Sequence, residues 1–362
     1  MLKEIGKISE PWIAIIDHSI NIGTKKLFVV LRVKMSVLSD RGRAISLEDC
    51  ECIGMKICEV VNGNTVSEDL KEIFEVSGVP SAIIKDTDAT LNCGVKKFIE
   101  NEKQNIAMID DIGHVVAKSL KKEFEDTKSY KRFTKLIKDG SARLRNTNIA
   151  FLTPPKLRNK ARFQSISRLG KWGEKMMDSF NTRGRAKKGS VLEKLRKAFP
   201  LFSRLKSFIQ NFAKTTSVTS KIMERLKNIG LEQSTYDECK LLLKELPRSS
   251  KTAKQLRIWL DKHIKIQQKL TKYPLPVSSD IIESLFGKYK HVIERSPQTE
   301  MNRSTLIIPA LCGKIDEAKI LRALDIAKHK DLKNWEKENI RETMRSKRLS
   351  YFDNNIQKIV NN

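Results

Sequence analysis

Short apolar runs separated by turn signals divide the first third of the chain into strands and helices. The β-branched run from Trp12 to Asp17 predicts a strand, and the turn signal at 21–24 joins it to a second strand in a hairpin. A helix that Thr65 or Ser67 can cap follows the third strand. Further strands are predicted at 52–61, 81–85 and 106–109, and further helices at 91–100 and 115–124. The resulting order, β-β-β-α-β-α-β-α, is typical of an α/β domain.

Long basic segments with helical periodicity replace this alternation from residue 127 onward, and strand signals are nearly absent there. The segment Tyr273-Pro274-Leu275-Pro276 ends them, and Ser278 or Ser279 can cap the helix that carries Glu283. We therefore predict three parts, which are a folded core at 1–126, a basic all-α insertion at 127–274, and a return to the core with further helices at 275–362.

Positive charge is concentrated in the middle of the chain. Residues 127–275 hold 37 lysines and arginines against 10 acidic residues, which accounts for the whole net charge of +27. Such a segment favours a polyanion partner, because each neutralised phosphate releases counterions. A solvated basic surface is the alternative. No apolar run reaches the roughly 18 residues that a bilayer requires. We expect a protein of the cytoplasm or nucleoid that binds nucleic acid and no membrane.

Other chemistry finds little support in the sequence. The six cysteines form no Cys-x-x-Cys pair and have no histidine at ligand spacing, which argues against a zinc site and a disulfide framework. Cys50, Cys52 and Cys58 share strand parity, which is typical of small apolar residues on one face of a sheet. The sequence also lacks the motifs of P-loop ATPases, zincins and serine hydrolases.

Three carboxylates stand at positions suited to metal-dependent phosphodiester chemistry. Asp17 and Asp86 each close an apolar strand, and Glu283 opens a helical segment. Two Mg²⁺ ions about 4 Å apart need carboxylate oxygens that are held by rigid neighbouring elements. Taken singly, each residue has a structural alternative, since aspartates after strands form turns or caps and glutamates favour the first turn of a helix. Asp88 is the rival of Asp86, although Asp86 follows the strand directly.

Three segments resemble parts of a known family. Residues 83–95, Ile-Ile-Lys-Asp-Thr-Asp-Ala-Thr-Leu-Asn-Cys-Gly-Val, are similar to that family's strand, loop and helix start around the second aspartate. The segment 109–114, Ile-Asp-Asp-Ile-Gly-His, is similar to its Asp-x-x-His entry to the next helix. In 283–290, Glu-Ser-Leu-Phe-Gly-Lys-Tyr-Lys, the basic residue seven after the glutamate matches a lysine that contacts DNA. Over about residues 10–126 and 276–310, the chain thus resembles bacterial insertion-sequence transposases of the DDE class.

This resemblance implies an α/β fold with an RNase H-like mixed sheet flanked by helices and interrupted by a large all-α insertion. In such a sheet the first and fourth strands are neighbours, so Asp17 and Asp86 would lie close together, and Glu283 would complete a site for two Mg²⁺ ions, with Mn²⁺ as a substitute. Lys290 would position the cleaved DNA strand, with Lys288 beside it. Residues that could tune the site from behind the ligands are Asp88, Asp111 and His114, although a helix-capping aspartate and a packed histidine are equally good explanations.

The insertion supplies the densest basic clusters, whose members are phosphate-contact candidates: Arg158, Lys160, Arg162, Arg168, Arg183, Arg185, Lys187 and Lys188. Related transposases with helical insertions can hold an unstacked base on a tryptophan, which makes Trp172 the candidate here and Trp259 the second. A tryptophan of the insertion's core is the favoured alternative.

Two features depart from the family. Pro276 and Ser279 stand where some relatives have Tyr and Arg, and the first strand begins only about a dozen residues from Met1, which leaves no room for a preceding helix-turn-helix domain. End recognition would then fall to the insertion or to another polypeptide, or the chain would be a truncated copy.

We expect a homodimeric transposase that cleaves transposon ends and joins them to target DNA. The alternatives are a structure-selective nuclease of the same fold and a non-catalytic DNA-binding remnant.

Overall fold

The structure is a computed structural model that describes residues 5–22, 25–39, 42–156, 163, 166–181, 184–293, 301–340 and 346–352. The chain forms two compact units. The first unit comprises Met1–Asp111 together with Leu270–Asn362, and the second is Ile112–Lys269. The second unit begins earlier than the insertion predicted at 127–274.

The first unit is built on a five-stranded mixed sheet in the order β3-β2-β1-β4-β5. The strands are β1 (Trp12–Ile22), β2 (Lys25–Lys34), β3 (Cys50–Cys58), β4 (Ala82–Lys85) and β5 (Ala107–Asp110). The hairpin predicted at the start of the chain is confirmed, because β2 pairs antiparallel with both β1 and β3. On the other side, β1 pairs parallel with β4, and β4 pairs parallel with β5.

The helices of the described residues are α1 (Gly63–Ser77), α2 (Ala89–Asn101), α3 (Ile112–Phe124), α4 (Lys128–Leu144), α5 (Ser167–Phe180), α6 (Val191–Ala198), α7 (Lys206–Asn228), α8 (Gln233–Lys244), α9 (Lys251–Leu270), α10 (Asp280–Ile293), α11 (Ile307–Ala310), α12 (Glu317–Ile326) and α13 (His329–Ile340). None of them combines the length and the apolar character that a membrane span needs. Helix α3 belongs to the second unit because the ring of Phe124 packs against the rings of Phe208 and Phe212 of α7.

Helices α1 and α2 cover one face of the sheet, where they bury Ala14, Ile16 and Ile83. The N-cap of α1 is Asn62, whose side chain accepts hydrogen bonds from two backbone N–H groups. Thr65 completes the cap, because its hydroxyl accepts the N–H of Asn62 at 3.0 Å, whereas the cap predicted at Ser67 is wrong. Both are already inside the helix, since the turn after β3 closes earlier than the apolar pattern indicates.

The other face of the sheet carries the fully buried side chains of Ile13 and Ile15. Because strand side chains alternate and the face of Ala14 and Ile16 is covered by α1 and α2, α10, which contacts β1, packs on the face of Ile13 and Ile15. Helix α10 turns its own apolar side inward, with Ile281, Ile282, Leu285, Phe286 and Tyr289 buried.

The second unit is helical throughout its described part, as the basic segment predicts. An aromatic core formed by Phe133, Phe199, Phe202 and Phe212 holds it together. Helix α4 approaches this core closely, since a Cβ atom at Gly140 would clash with the ring of Phe199.

Candidate functional site

Asp17 and Asp86 lie side by side at the carboxyl ends of neighbouring parallel strands. In the register of the sheet Ile16 pairs with Lys85, so the next residues along, Asp17 and Asp86, are level with one another. Neighbouring strands are about 4.8 Å apart, which brings two carboxylates into range of a shared cation. Both aspartates are half-buried. The structure therefore brings together the first two residues of the predicted triad.

Asp88 differs from Asp86 in what its oxygens do. Its Oδ1 accepts hydrogen bonds from the backbone N–H groups of Thr90, at 2.8 Å, and Leu91, at 3.2 Å, so it is the N-cap of α2. Burial raises the pKa of Asp88, but these hydrogen bonds and the neighbouring His18 outweigh it and leave the pKa below its ordinary value. The cap explains the presence of an acid at this position without a metal.

Glu283 lies in the first turn of α10, with its side chain exposed. The residue just before this helix, Ser279, donates its backbone N–H to Oδ1 of Asp111 at 2.8 Å. Asp111 is only 1% exposed and directly follows β5, and its own N–H donates to the carbonyl of Lys85 in β4 at 3.0 Å. The buried carboxylate of Asp111 thus ties the start of the helix that carries Glu283 to the strand ends beside Asp86.

The three carboxylates have the oxygen chemistry that Mg²⁺ prefers. Within the described ranges, however, no three His, Cys, Asp or Glu side chains are gathered closely enough to hold a metal ion. Asp17 and Asp86 are level in the sheet, and Glu283 lies on α10, a helix that contacts β1, but among the described residues the three acids do not form such a group. The donor chemistry fits Mg²⁺, but the convergence of all three ligands is not present in this structure.

Two ionisable groups beside the aspartates escape sequence reasoning. Lys85 is completely buried, and its Nζ lies 2.8 Å from Oδ1 of Asp110, its partner in the sheet register. His18 stacks on the ring of Phe28 at 4.6 Å, and burial lowers its pKa to about 4, so it is neutral at pH 7. The signal for the Lys85 pair is a lysine at the end of an apolar strand beside a strand that ends in an acid.

Lys290 follows Glu283 by two helical turns, so the two lie on the same side of α10. Gly287, between them, is exposed, and a Cβ atom added there would meet nothing within 4 Å. Lys290 is half-buried and Lys288 is exposed. This side of α10 is therefore open enough for a phosphate to approach. His114, predicted as a tuning residue, lies in α3 of the second unit.

The basic candidates of the insertion divide into two groups. Arg158, Lys160, Arg162 and Arg183 lie outside the described residues. The exposed ones are Arg168, Arg185, Lys187 and Lys188. By composition, the second unit holds 39 lysines and arginines against 13 acidic residues, a net charge of +26, whereas the first unit holds 31 against 30.

Trp172 packs inside the second unit. Its indole Nε1 donates a hydrogen bond to the carbonyl of Leu152 at 3.1 Å, and its ring meets those of Phe199 and Phe202 edge to face at 5.5 and 5.8 Å. Trp259 is 4% exposed and stacks on His263. These contacts favour the core interpretation of both tryptophans over the holding of a base.

The cysteines of β3 behave as small apolar residues, but they do not share one face as predicted, because a register shift in β3 turns Cys58 toward the core under α1 and α2. Cys50 and Cys52 are buried and Cys58 is partly buried, and burial raises the pKa of all three thiols, that of Cys58 to about 12. A thiol with so high a pKa holds its proton at neutral pH and is a poor nucleophile.

Comparison with known proteins yields no matching family model and no matching curated protein. Among solved structures, the chain is similar to one described as a Drosophila P element transposase strand transfer complex, with 10% sequence identity and a TM-score of 0.42. The similarity covers 89% of this chain and 78% of that chain. At this level the likeness does not bear on function.

Proposed function

We propose that this protein is a DNA transposase of the DDE class, in which an RNase H-like domain cleaves transposon ends and transfers the 3′-hydroxyl to target DNA. The observation that supports it most is the sheet register, which sets Asp17 level with Asp86 at the ends of β1 and β4. The order β3-β2-β1-β4-β5, with an antiparallel half and a parallel half, supports the RNase H-like part of the proposal.

In this proposal Asp17 and Asp86 hold Mg²⁺, or Mn²⁺ as its substitute, and Glu283 is the third ligand. The bound ions would activate the attacking oxygen and stabilise the leaving oxygen. Other residues would position the reacting groups. Asp111 holds the start of α10, which carries Glu283, against the sheet. Lys290, two helical turns after Glu283, would place a positive charge beside a DNA phosphate. We propose that the partners are transposon ends and target DNA, bound by a homodimer in the bacterial cytoplasm or nucleoid.

A non-catalytic DNA-binding protein is the second candidate. It is favoured by the lack of a gathered three-ligand cluster among the described residues, together with the +26 charge of the second unit. On this alternative the acids at the strand ends are turn and cap formers, as Asp88 is.

The experiment that separates these candidates is Mg²⁺-dependent nicking and joining of a DNA fragment with the native flanking sequences. Wild type is compared with Asp17→Asn, Asp86→Asn and Glu283→Gln, with Asp280→Asn as the matched control in the same helical turn. We expect the first three variants to lose both activities and to keep DNA affinity, and Asp280→Asn to keep both. Cleavage without joining would favour the nuclease, and binding without cleavage in Mg²⁺ and Mn²⁺ would favour the non-catalytic protein.

A further inference from the structure

Helix α4 has two sharply different sides. Its buried side, formed by Tyr130, Phe133, Ile137, Gly140 and Leu144, repeats every three or four residues and packs on the aromatic core. The close approach at Gly140 and a hydrogen bond of 2.8 Å from Arg143 to the carbonyl of Ala198 fix this side in place. The helix is therefore rigidly mounted, and its outward side has a fixed direction.

The outward side presents six exposed cations, which we name the α4 cation stripe: Lys128, Lys131, Arg132, Lys135, Lys138 and Arg145. At 100° per residue they lie away from the buried residues, in an arc of about 140° that also holds Asp139. Within the described part of the chain, the ion pair recorded for the stripe joins Lys131 to Asp126 at 3.5 Å, and Asp126 is 97% exposed. Exposed pairs of this kind contribute little, and the half-buried Asp139 is the one acid within α4, so the outward side keeps a net positive charge.

The length of the stripe suits a nucleic-acid backbone. From Lys128 to Arg145 the helix rises about 26 Å at 1.5 Å per residue. One strand of duplex DNA places a phosphate about every 3.4 Å along the duplex axis, but the strand winds around that axis, so a straight helix stays beside only part of this run. Five of the six cations lie between Lys128 and Lys138, over about 15 Å of helix, and can contact the phosphates that pass beside this segment.

We propose that the α4 cation stripe binds the phosphodiester backbone of duplex DNA. The stripe contains lysines and arginines only, so it supplies affinity and register along the duplex, while sequence is read elsewhere. The inference rests on the proposed function only in taking DNA as the partner, and it is independent of the carboxylates. It also differs from the clusters between residues 158 and 188, because those are dense in sequence, whereas the cations of the stripe share the outward side of a single helix.

Helix α9 shows why spacing matters as much as charge. It also exposes five lysines, namely Lys251, Lys254, Lys262, Lys265 and Lys269. Between Lys254 and Lys262 its outward side is interrupted by Ile258, which is 54% exposed. This gap of eight residues, about 12 Å, divides the lysines of α9 into two groups, whereas successive cations between Lys128 and Lys138 of α4 are at most three residues apart. Helix α9 therefore serves as a matched control of similar charge within the same unit.

The test compares two variants with wild type. The α4 variant carries Lys→Gln at 128, 131, 135 and 138, and the α9 variant carries Lys→Gln at 251, 254, 265 and 269. Glutamine keeps the helix propensity of lysine, so equal thermal midpoints will show that both variants fold. Affinity for a mixed-sequence 30-base-pair DNA duplex is measured by fluorescence anisotropy from 50 to 200 mM KCl, without divalent metal.

For the α4 variant, we expect the slope of log affinity against log salt to become shallower by about 3.6, or 0.9 for each lost phosphate contact. Raising the salt from 50 to 200 mM should then weaken wild-type binding about 150-fold more than binding by this variant. The α9 variant should change the slope by less than half as much. An unchanged slope in the α4 variant, or equal changes in both variants, would overturn the proposal, since binding would then follow the charge of the whole unit. Tighter, α4-dependent binding of an RNA duplex of the same length would assign the stripe to RNA instead.

These outcomes do not depend on catalysis, because no metal is present. If the α4 variant leaves the salt slope unchanged and the acid variants still abolish cleavage, the proposal for the stripe is wrong and the proposed function is retained. If the stripe succeeds and no cleavage is ever seen, the DNA-binding surface stands without an enzyme.

Discussion

Replacing Asp111 by alanine tests whether one buried carboxylate positions the helix that carries Glu283. The change removes the acceptor of the Ser279 N–H, which lies 2.8 Å from Oδ1. Asp111 is 1% exposed and Ser279 is 4% exposed, so water has little access to either group. The donor left behind would remain buried and unpaired.

The size of the effect follows from this burial. A hydrogen bond to a charged group contributes about 1.5–3 kcal/mol, and leaving a buried donor unpaired costs about 1–3 kcal/mol, two views of the same loss rather than additive terms. We therefore expect Asp111→Ala to lower the free energy of unfolding by about 2–3 kcal/mol. Asp111→Asn keeps an acceptor oxygen of the same shape and should lose less than half as much.

Urea denaturation measures the free energy, and hydrogen exchange of the amides at the start of α10 reports whether the loss is local. Protection should fall at these amides in Asp111→Ala before it falls in the sheet. On the proposed function, strand cleavage should fall while DNA affinity stays nearly constant. The reasoning would be refuted by an alanine variant within 0.5 kcal/mol of wild type, or by an asparagine variant as damaged as the alanine one.

Three further predictions concern stability. Asp110→Ala should lower the free energy of unfolding by about 3 kcal/mol, because it leaves the buried charge of Lys85 without this partner. Lys85→Met should lower it by less, since it removes the buried charge itself, and urea unfolding of both variants tests this order. Burial raises the pKa of Asp69 to about 6, so the folded protein favours the protonated carboxyl group. The stability that this group contributes is therefore complete below about pH 4 and is lost as the pH rises through about 6. Asp69→Asn should thus match wild type near pH 3 and exceed it by about 1 kcal/mol at pH 7, a figure reduced for solvent screening. Gly140→Ala should lower the thermal midpoint, because overpacking against Phe199 costs about 2 kcal/mol of stability. Gly287→Ala, in open space, should raise the midpoint, because alanine favours the helix by about 1 kcal/mol. The opposite order would contradict the packing around α4.

The sheet could be predicted from the sequence because its signals are local. Each strand is a short apolar run closed by a turn, and the hairpin at the start of the chain carries its own turn signal. Asp17 and Asp86 could be selected for the same reason, since each stands directly after such a run. Their register with one another, in contrast, depends on a pairing between strands about 70 residues apart, which periodicity does not encode.

The role of Asp111 could not be predicted either, because it depends on a contact between residues even farther apart in the sequence. Its partner, Ser279, is 168 residues away and contributes a backbone N–H, which has no side-chain signature. The stability of Lys85 at a buried position likewise depends on Asp110 of a different strand. The second unit begins at Ile112, and the apolar pattern of α3 does not reveal that this helix packs against the core of that unit.

The α4 cation stripe was within reach of sequence reasoning. Counting charges in short windows selects the clusters between 158 and 188, whereas a helical projection of 128–145 puts the buried apolar positions on one side and the six cations, with Asp139 and Ala142 among them, on the other. The density of charge along the sequence differs from the alignment of charges on one side of a helix, and it is the alignment that allows several contacts with a DNA backbone at once.

The bond between Asp111 and Ser279 also sets an order of events during synthesis. A ribosome that adds about 5–20 residues per second needs roughly 8–34 s to produce the 168 residues between these two positions. During that interval all five strands have been synthesised, but α10, which covers the sheet face of Ile13 and Ile15, has not. A messenger broken anywhere within the second unit would therefore encode Asp17 and Asp86 without Glu283. On the proposed function, incomplete chains would be unable to cut DNA, and the capacity to damage a chromosome would appear only once the cationic unit had been made.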